Sequence, residues 1–215
     1  MPKPLPNRDV ELVFVLDKSG SMAGFEEDTV GGFNAMIEKQ KGEGEGMIYV
    51  TAVLFSTATE LFYDRVPIDE ISPMKRADYC VGGCTALYDA VGETVEHISR
   101  IHKYVRREDK PARTVFVITT DGMENASRHY THSKVRRLIE QKTKQDGWEF
   151  VFLGANMDAE EVAEDIGIRR SRAATYRQTG EGIGRCFCSV GRMVRDIVTD
   201  SIDADDASWK EGLND

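Results

Sequence analysis

The chain has 215 residues, of which 40% are hydrophobic and 30% charged, and it carries a formal net charge of −9. The length suits one domain with a sizeable buried core, and the composition excludes a collagenous or largely disordered chain. No apolar stretch approaches the ~20 residues of a membrane-spanning helix, and the acidic balance argues against a broad phosphate-backbone interface, which needs a basic face.

In chain order, Met1 to Asp9 contains prolines and lacks the apolar core of a secretory signal, so the expected compartment is the cytosol. Val10 to Leu16 is a run of strand length. Phe25, Val30, Phe33 and Ile37 predict a helix, although Gly31 and Gly32 each cost it about 1 kcal/mol. Gly42-x-Gly44-x-Gly46 precedes a strand where a dinucleotide fingerprint would follow one, and so reads as a turn. Ile48 to Phe55 is a second strand. The connection Ser56 to Thr59 is too short for a parallel crossover, so a third strand, Glu60 to Val66, pairs antiparallel with the second.

After Ala86, apolar residues recur at Leu87, Val91, Val95, Ile98, Ile101 and Val105, the spacing of an amphipathic helix with one face on a sheet. Thr114 to Thr119 and Phe150 to Leu153 are further strands, separated by a basic helix from about His132 to Gln145 that Gly147 stops. Asp158 is a plausible N-cap of a helix to about Ile166, ended by Gly167. A strand near Ala173 to Arg177 and a helix from about Ile183 to Ser201 follow. Strand runs without polar alternation are covered on both faces. The alternation of strands and helices, with one antiparallel pair, predicts an open doubly wound α/β sheet over residues 1–202. Residues 203–215 read as an acidic, solvated tail in which Trp209 is able to dock.

Four cysteines form two close pairs, Cys80/Cys84 and Cys186/Cys188. A disulfide framework is a poor default without a secretory signal, and C-x3-C with C-x-C is not zinc-ribbon spacing. Reduced, mostly buried thiols are the expectation.

In such a sheet, ligands bind beyond the carboxyl ends of the strands. The first strand ends in Asp17-Lys18-Ser19-Gly20-Ser21, and a later one runs into Asp121-Gly122. Gly82-Gly83-Cys84-Thr85 precedes the amphipathic helix. Asp17, Ser19, Ser21, Thr85 and Asp121 make two carboxylates and three hydroxyls. Such hard oxygen donors suit Mg²⁺, Mn²⁺ or Ca²⁺. With hydroxyls in the inner shell, the dication stays electrophilic and attracts an anionic oxygen from outside.

This constellation resembles the von Willebrand factor type A (vWA) domain and its metal-ion-dependent adhesion site. That site has an Asp-x-Ser-x-Ser loop after the first strand, a Thr before a helix and an Asp after a central strand. Here Asp17, Ser19, Ser21, Thr85 and Asp121 match those positions. The resemblance runs from about Val10 to Ser201 and includes Gly82 to Asp89 and Leu153-Gly154-Ala155-Asn156, the latter similar to bacterial cytosolic members. It implies a Rossmann-like sheet of order 3-2-1-4-5-6 with strand 3 antiparallel, a divalent cation, commonly Mg²⁺, at the upper rim, and a partner protein whose Glu or Asp completes the shell. Lys18 and Cys84 depart from the surroundings such a site favours.

Plainer readings exist for single residues. Asp17 and Asp121 would serve as helix caps, and Asp89, one turn past Thr85, would buttress a loop. His129 and His132 open a helix rather than a zinc site, His97 and His102 sit in the amphipathic helix, and Arg169, Arg170 and Arg172 read as surface charge. The function expected is a metal-dependent protein-interaction domain with no enzymatic activity. The competing readings are a metal-assisted hydrolase or phosphotransferase, for which no general base, nucleophile or phosphate loop is evident, and a structural subunit of an ATPase-associated complex.

Overall fold

The computed structural model describes residues 7–42, 46–199 and 206–213. Six strands form one sheet: β1 (Val10–Asp17), β2 (Ile48–Phe55), β3 (Thr59–Pro67), β4 (Arg113–Thr120), β5 (Glu149–Ala155) and β6 (Ala173–Tyr176). Their order is β3-β2-β1-β4-β5-β6, with β3 antiparallel to β2 and every other pairing parallel. This is the Rossmann-like topology that the sequence implied, with the reversal of strand order placed at β1. Among the described residues, five α-helices cover the sheet: α1 (Glu26–Gln40), α2 (Leu87–Tyr104), α3 (His132–Asp146), α4 (Ala159–Asp165) and α5 (Gly180–Val198).

The pleat of β1 explains the two-sided core. Val10, Leu12, Phe14 and Leu16 face α1 and α5, while Val13 and Val15 face α2, α3 and α4. On the first face Phe14 meets Phe33 edge-on at 5.2 Å, and on the second Phe116 stacks against both Trp148 and Phe150. One polar group interrupts the buried run: Glu11 is fully buried and accepts from Arg65 Nε at 2.7 Å.

Local chemistry sets the helix ends. The Thr131 and Asp158 side chains cap α3 and α4 by accepting N–H groups of Lys134 and Glu161. Gly147, at φ +67°, closes α3 in the left-handed conformation that glycine adopts freely. α5 starts three residues before the expected Ile183 because Thr179 caps it, accepting from Gly182 N at 3.0 Å. The expected end of that helix at Ser201, and the centre of the Gly42-x-Gly44-x-Gly46 turn, lie outside the described residues.

Two expectations and one of the plainer readings need correction. Cys80, Cys84 and Cys188 are exposed and only Cys186 is buried, because the first pair lies in a surface loop and Cys188 turns outward on α5. Arg172 is buried rather than a surface charge, its guanidinium meeting Glu149 Oε2 at 3.3 Å and the Asp206 carbonyl at 3.1 Å. Asp17 and Asp121 cap no helix, since Phe25 holds the N-cap position of α1 and Thr131 that of α3. In the acidic tail, Trp209 does dock: it is buried and donates its indole N–H to the Ser171 carbonyl at 2.9 Å.

The glycine pair of α1 has two different explanations. A Cβ on Gly32 would lie 2.5 Å from the Phe187 ring of α5, so the close approach of α1 and α5 requires glycine there, whereas a Cβ on Gly31 would meet nothing within 4 Å. Gly31→Ala is therefore expected to stabilise the protein by about 0.4–1 kcal/mol through helix propensity. Gly32→Ala is expected to destabilise it by about 1–3 kcal/mol through overpacking. Urea unfolding of both variants checks the pair, and equal effects would contradict this packing.

Candidate metal centre

β1 and β4 pair directly, Leu16 opposite Thr119, so the loops that leave their carboxyl ends lie side by side. Asp17 is the last residue of β1, and Asp121 follows the last residue of β4. Asp17 Oδ1 accepts the Ser19 N–H at 2.7 Å, an Asx turn that folds the loop back over the strand end. Asp17 Oδ2 accepts the Thr120 hydroxyl at 2.6 Å, which ties the carboxylate to β4. The Ser19 and Ser21 hydroxyl oxygens are 3.0 Å apart, and Ser21 Oγ donates to Asp121 Oδ1 at 2.6 Å.

Thr85 arrives from the loop that precedes α2. Its N–H donates to Asn125 Oδ1 and its carbonyl accepts from Asn125 N, both at 3.0 Å. Two further backbone bonds stitch this loop to the one after β1, Gly20 N to Gly83 O at 3.0 Å and Gly82 N to Lys18 O at 2.9 Å. Gly122 stands between the loops: a Cβ there would come 2.8 Å from Thr85 Oγ1 and 3.5 Å from Ser21 Oγ. Glycine at this position leaves the hydroxyl oxygens uncovered.

The fold thus brings Asp17, Ser19, Ser21, Thr85 and Asp121 to one rim. Asp17, Ser19, Thr85 and Asp121 are buried, while Ser21 is exposed at the outer edge. Burial pushes the Asp17 carboxyl above its ordinary range, hydrogen bonds from Thr120 and Ser19 work against that rise, and the charge of Asp121 adds to it. Lys18 does not relieve the two carboxylates, because its ammonium pairs with Glu60 of β3. Two mutually repelling carboxylates among three hydroxyls fit a hard divalent cation, which would neutralise them and accept only oxygen donors. Among the described residues, no three His, Cys, Asp or Glu side chains gather at one point, so a cation at this rim would draw on the hydroxyls.

Several supporting residues carry no motif and were not singled out in the sequence. Glu124 builds the loop after β4 from within, accepting Ala126 N and Ser127 N on one oxygen and Tyr88 N and the Ser127 hydroxyl on the other. Gln178 donates to the Ser21 carbonyl at 3.0 Å and also to Asp121. Their only sequence signal is a polar residue in a loop after a strand. Asp89 buttresses as expected: it accepts from Arg128 N at 2.7 Å, His129 N at 2.9 Å and Tyr130 N at 2.7 Å. His129 is exposed and His132 starts α3.

The chain matches the family described as VWA domain containing CoxE-like protein over residues 2–175. No curated protein matches it. Among solved structures it is similar to the PilB minor pilin of Streptococcus sanguinis, with a TM-score of 0.63 and 14% identity over 92% of this chain and 64% of that one. It is also similar to proximal thread matrix protein 1 from the mussel byssus with a zinc-occupied MIDAS motif, at a TM-score of 0.60 and 14% identity over 89% of this chain. This chain spans 47% of that mussel protein. A third similar structure is the vWF domain of the type V pili tip protein Mfa5 from Porphyromonas gingivalis, with a TM-score of 0.59 and 12% identity over 88% of this chain and 96% of that one.

Two outcomes follow from the electrostatics. A carboxyl whose folded pKa is raised costs stability once ionised, and that cost is absent below its ordinary pKa. Asp17→Asn, which keeps the Oδ1 acceptor of the Asx turn, is therefore expected to raise the thermal midpoint of the metal-free chain at pH 7. An unchanged or lower midpoint in calorimetry with chelator contradicts the buried-charge account. Asp89 has the opposite sign. Burial raises its pKa, but the N–H groups of Arg128, Tyr130 and His129 outweigh that and hold it below the ordinary value. Its contribution is full above the ordinary carboxylate pKa and fades as pH falls through the depressed one. Asp89→Ala is expected to cost about 2–3 kcal/mol at pH 7, read by urea unfolding, and less in acid.

Proposed function

Since the chain belongs to the family of VWA domain containing CoxE-like proteins, we propose that the rim between β1 and β4 is a metal-ion-dependent adhesion site for a partner protein. Asp17, Ser19, Ser21, Thr85 and Asp121 hold the cation, Mg²⁺ by preference, with Mn²⁺ or Ca²⁺ as substitutes. When bound, the ion supplies a positive, oxygen-seeking centre for an Asp or Glu carboxylate of the partner. The observation that carries this reading is the run of hydrogen bonds from Thr120 to Asp17, from the Ser19 N–H to Asp17, and from Ser19 through Ser21 to Asp121. The zinc-occupied MIDAS motif of the mussel protein supports it by analogy.

The chain's own residues divide the work. Asp17, Ser19 and Thr85 are buried and held by backbone contacts, so they form a fixed floor. Ser21 is exposed and Asp121 lies beside it, which presents the outer donors to an incoming group. Met123, 64% exposed two residues after Asp121, offers apolar contact next to the charge. Partner selection falls to the loops Ala23 to Glu27 and Met123 to His129. The first of these is braced where Glu26 pairs with Arg76 at 3.0 Å. The role is that of an interaction module rather than an enzyme. Four free cysteines support a reducing, cytosolic setting, and no helix among the described residues is long and apolar enough to cross a membrane.

Calorimetric titration of the purified chain with Mn²⁺ tests the centre. The wild type is expected to bind, and Thr85→Ala and Asp121→Ala to bind at least about tenfold more weakly while keeping the wild-type circular dichroism. Partner capture by the immobilised chain is expected to disappear with chelator and return with Mg²⁺. Capture indifferent to chelator would eliminate metal-bridged binding.

A further inference from the structure

The loops after β5 and β6 also reach the rim, through two amides. Gln178 follows β6 and directly precedes Thr179, the cap of α5. Its Nε2 donates to the Ser21 carbonyl at 3.0 Å and to Asp121 Oδ2. Its Oε1 accepts Asn156 Nδ2 at 2.5 Å. Asn156 follows β5 at φ +56°, a left-handed conformation that Asn tolerates better than most side chains.

We infer that Asn156 and Gln178 form an amide relay that positions Asp121 at the metal centre. This inference rests on the metal-centre reading above. A primary amide has two N–H donors and one carbonyl, and here each donor has an acceptor and the carbonyl has a donor. The Ser21 carbonyl, the Asp121 carboxylate and the Asn156 amide together set which way the Gln178 amide faces. With the amide flipped, Oε1 would oppose the Ser21 carbonyl and the Asp121 carboxylate, acceptor against acceptor, and Nε2 would oppose the Asn156 amide donor.

The consequence falls on Asp121. Its Oδ1 is committed to the Ser21 hydroxyl and its Oδ2 to Gln178, so both ends of the carboxylate are pinned. A neutral amide suits this task. It donates to the carboxylate without adding positive charge, so it orients the ligand and does not compete with the cation. A Lys or Arg in the same place would neutralise Asp121 and weaken its hold on a metal. Groups that orient a metal ligand from outside typically govern affinity by 10–100-fold, as a rough scale. The relay also gives the Leu153-Gly154-Ala155-Asn156 segment a task at the site, although Asn156 itself is a sheet position away from β4.

The test uses the full chain and Mn²⁺ as the probe. Gln178→Met keeps the side-chain length and removes all three hydrogen bonds. It is expected to weaken Mn²⁺ binding by about tenfold or more while the metal-free thermal midpoint stays close to that of the wild type. Asn156→Gly tolerates the positive φ and removes the donor to Gln178 Oε1, so a smaller loss of affinity is expected. A Gln178→Met affinity within about twofold of the wild type overturns the relay and leaves the metal reading standing. A metal-free midpoint that falls in step with affinity assigns the amides to loop stability and also overturns it. If Gln178→Met fails to fold, an unchanged affinity in Asn156→Gly overturns the inference instead. A wild-type chain that takes up no Mn²⁺ at millimolar concentration removes the metal reading itself.

Discussion

The parallel pairing of β1 with β4 is the constraint on which the site depends. Asp17 and Asp121 lie far apart in the chain, and they meet because Leu16 and Thr119 are register partners in the middle of the sheet. The chain leaves β1 toward β2 on one side and returns as β4 on the other, so no connecting segment crosses the gap between their carboxyl ends. Such a reversal leaves a crevice in which side chains from separate loops can converge. The buried pleat of β1, with Phe14 and Leu16 on one face and Val13 and Val15 on the other, fixes the height at which Asp17 emerges. Slipping that strand by one residue would exchange its two faces and break both halves of the core.

Convergence carries an electrostatic cost that the loops are built to bear. Bringing two carboxylates together in a partly buried rim is unfavourable, and the rise of the Asp17 pKa expresses it. The chain answers with hydrogen bonds to oxygen from Ser19, Thr120, Ser21 and Gln178, none of which brings a charge. Lys18, the cation nearest in sequence, is drawn to Glu60 on the edge strand β3. Negative charge is therefore held in place by neutral donors rather than cancelled. A chain that needed only a stable strand end would gain more by pairing Asp17 with a lysine or by omitting the acid.

Much of this was legible in the sequence, for physical reasons that can be named. Apolar runs such as Ile48 to Phe55 carry no other explanation than burial on both faces, and the four-residue link after Phe55 leaves room only for an antiparallel turn. The polar cluster at Asp17 to Ser21 stood out because it interrupts such a run at its carboxyl end. What escaped were side chains whose role depends on a partner distant in sequence. Arg172 looks like its exposed neighbours Arg169 and Arg170 until Glu149 and the Asp206 carbonyl are placed around it. Glu11 sits inside an apolar run and makes sense only once Arg65 reaches across from β3. Cysteine burial was misjudged because residue type sets an average, and three of the four thiols lie in a loop or on an outward helix position. Gln178 has no local pattern at all.

The same division separates what is rigid from what is free to vary. The floor of the rim hangs from backbone atoms: Asn125 clasps Thr85 from both sides, Gly20 and Gly82 bind the two glycine-bearing loops together, and Asp89 and Glu124 organise the long connection from β4 to α3. The exposed positions Met123, Glu27 and Asp28 sit on top of that frame. Substitutions at Met123, Glu27 or Asp28 can change what the rim meets without moving Asp17, Thr85 or Asp121. On the proposed reading as a metal-dependent adhesion site, a frame held by backbone and neutral side chains would keep one ion chemistry while its choice of partner changes.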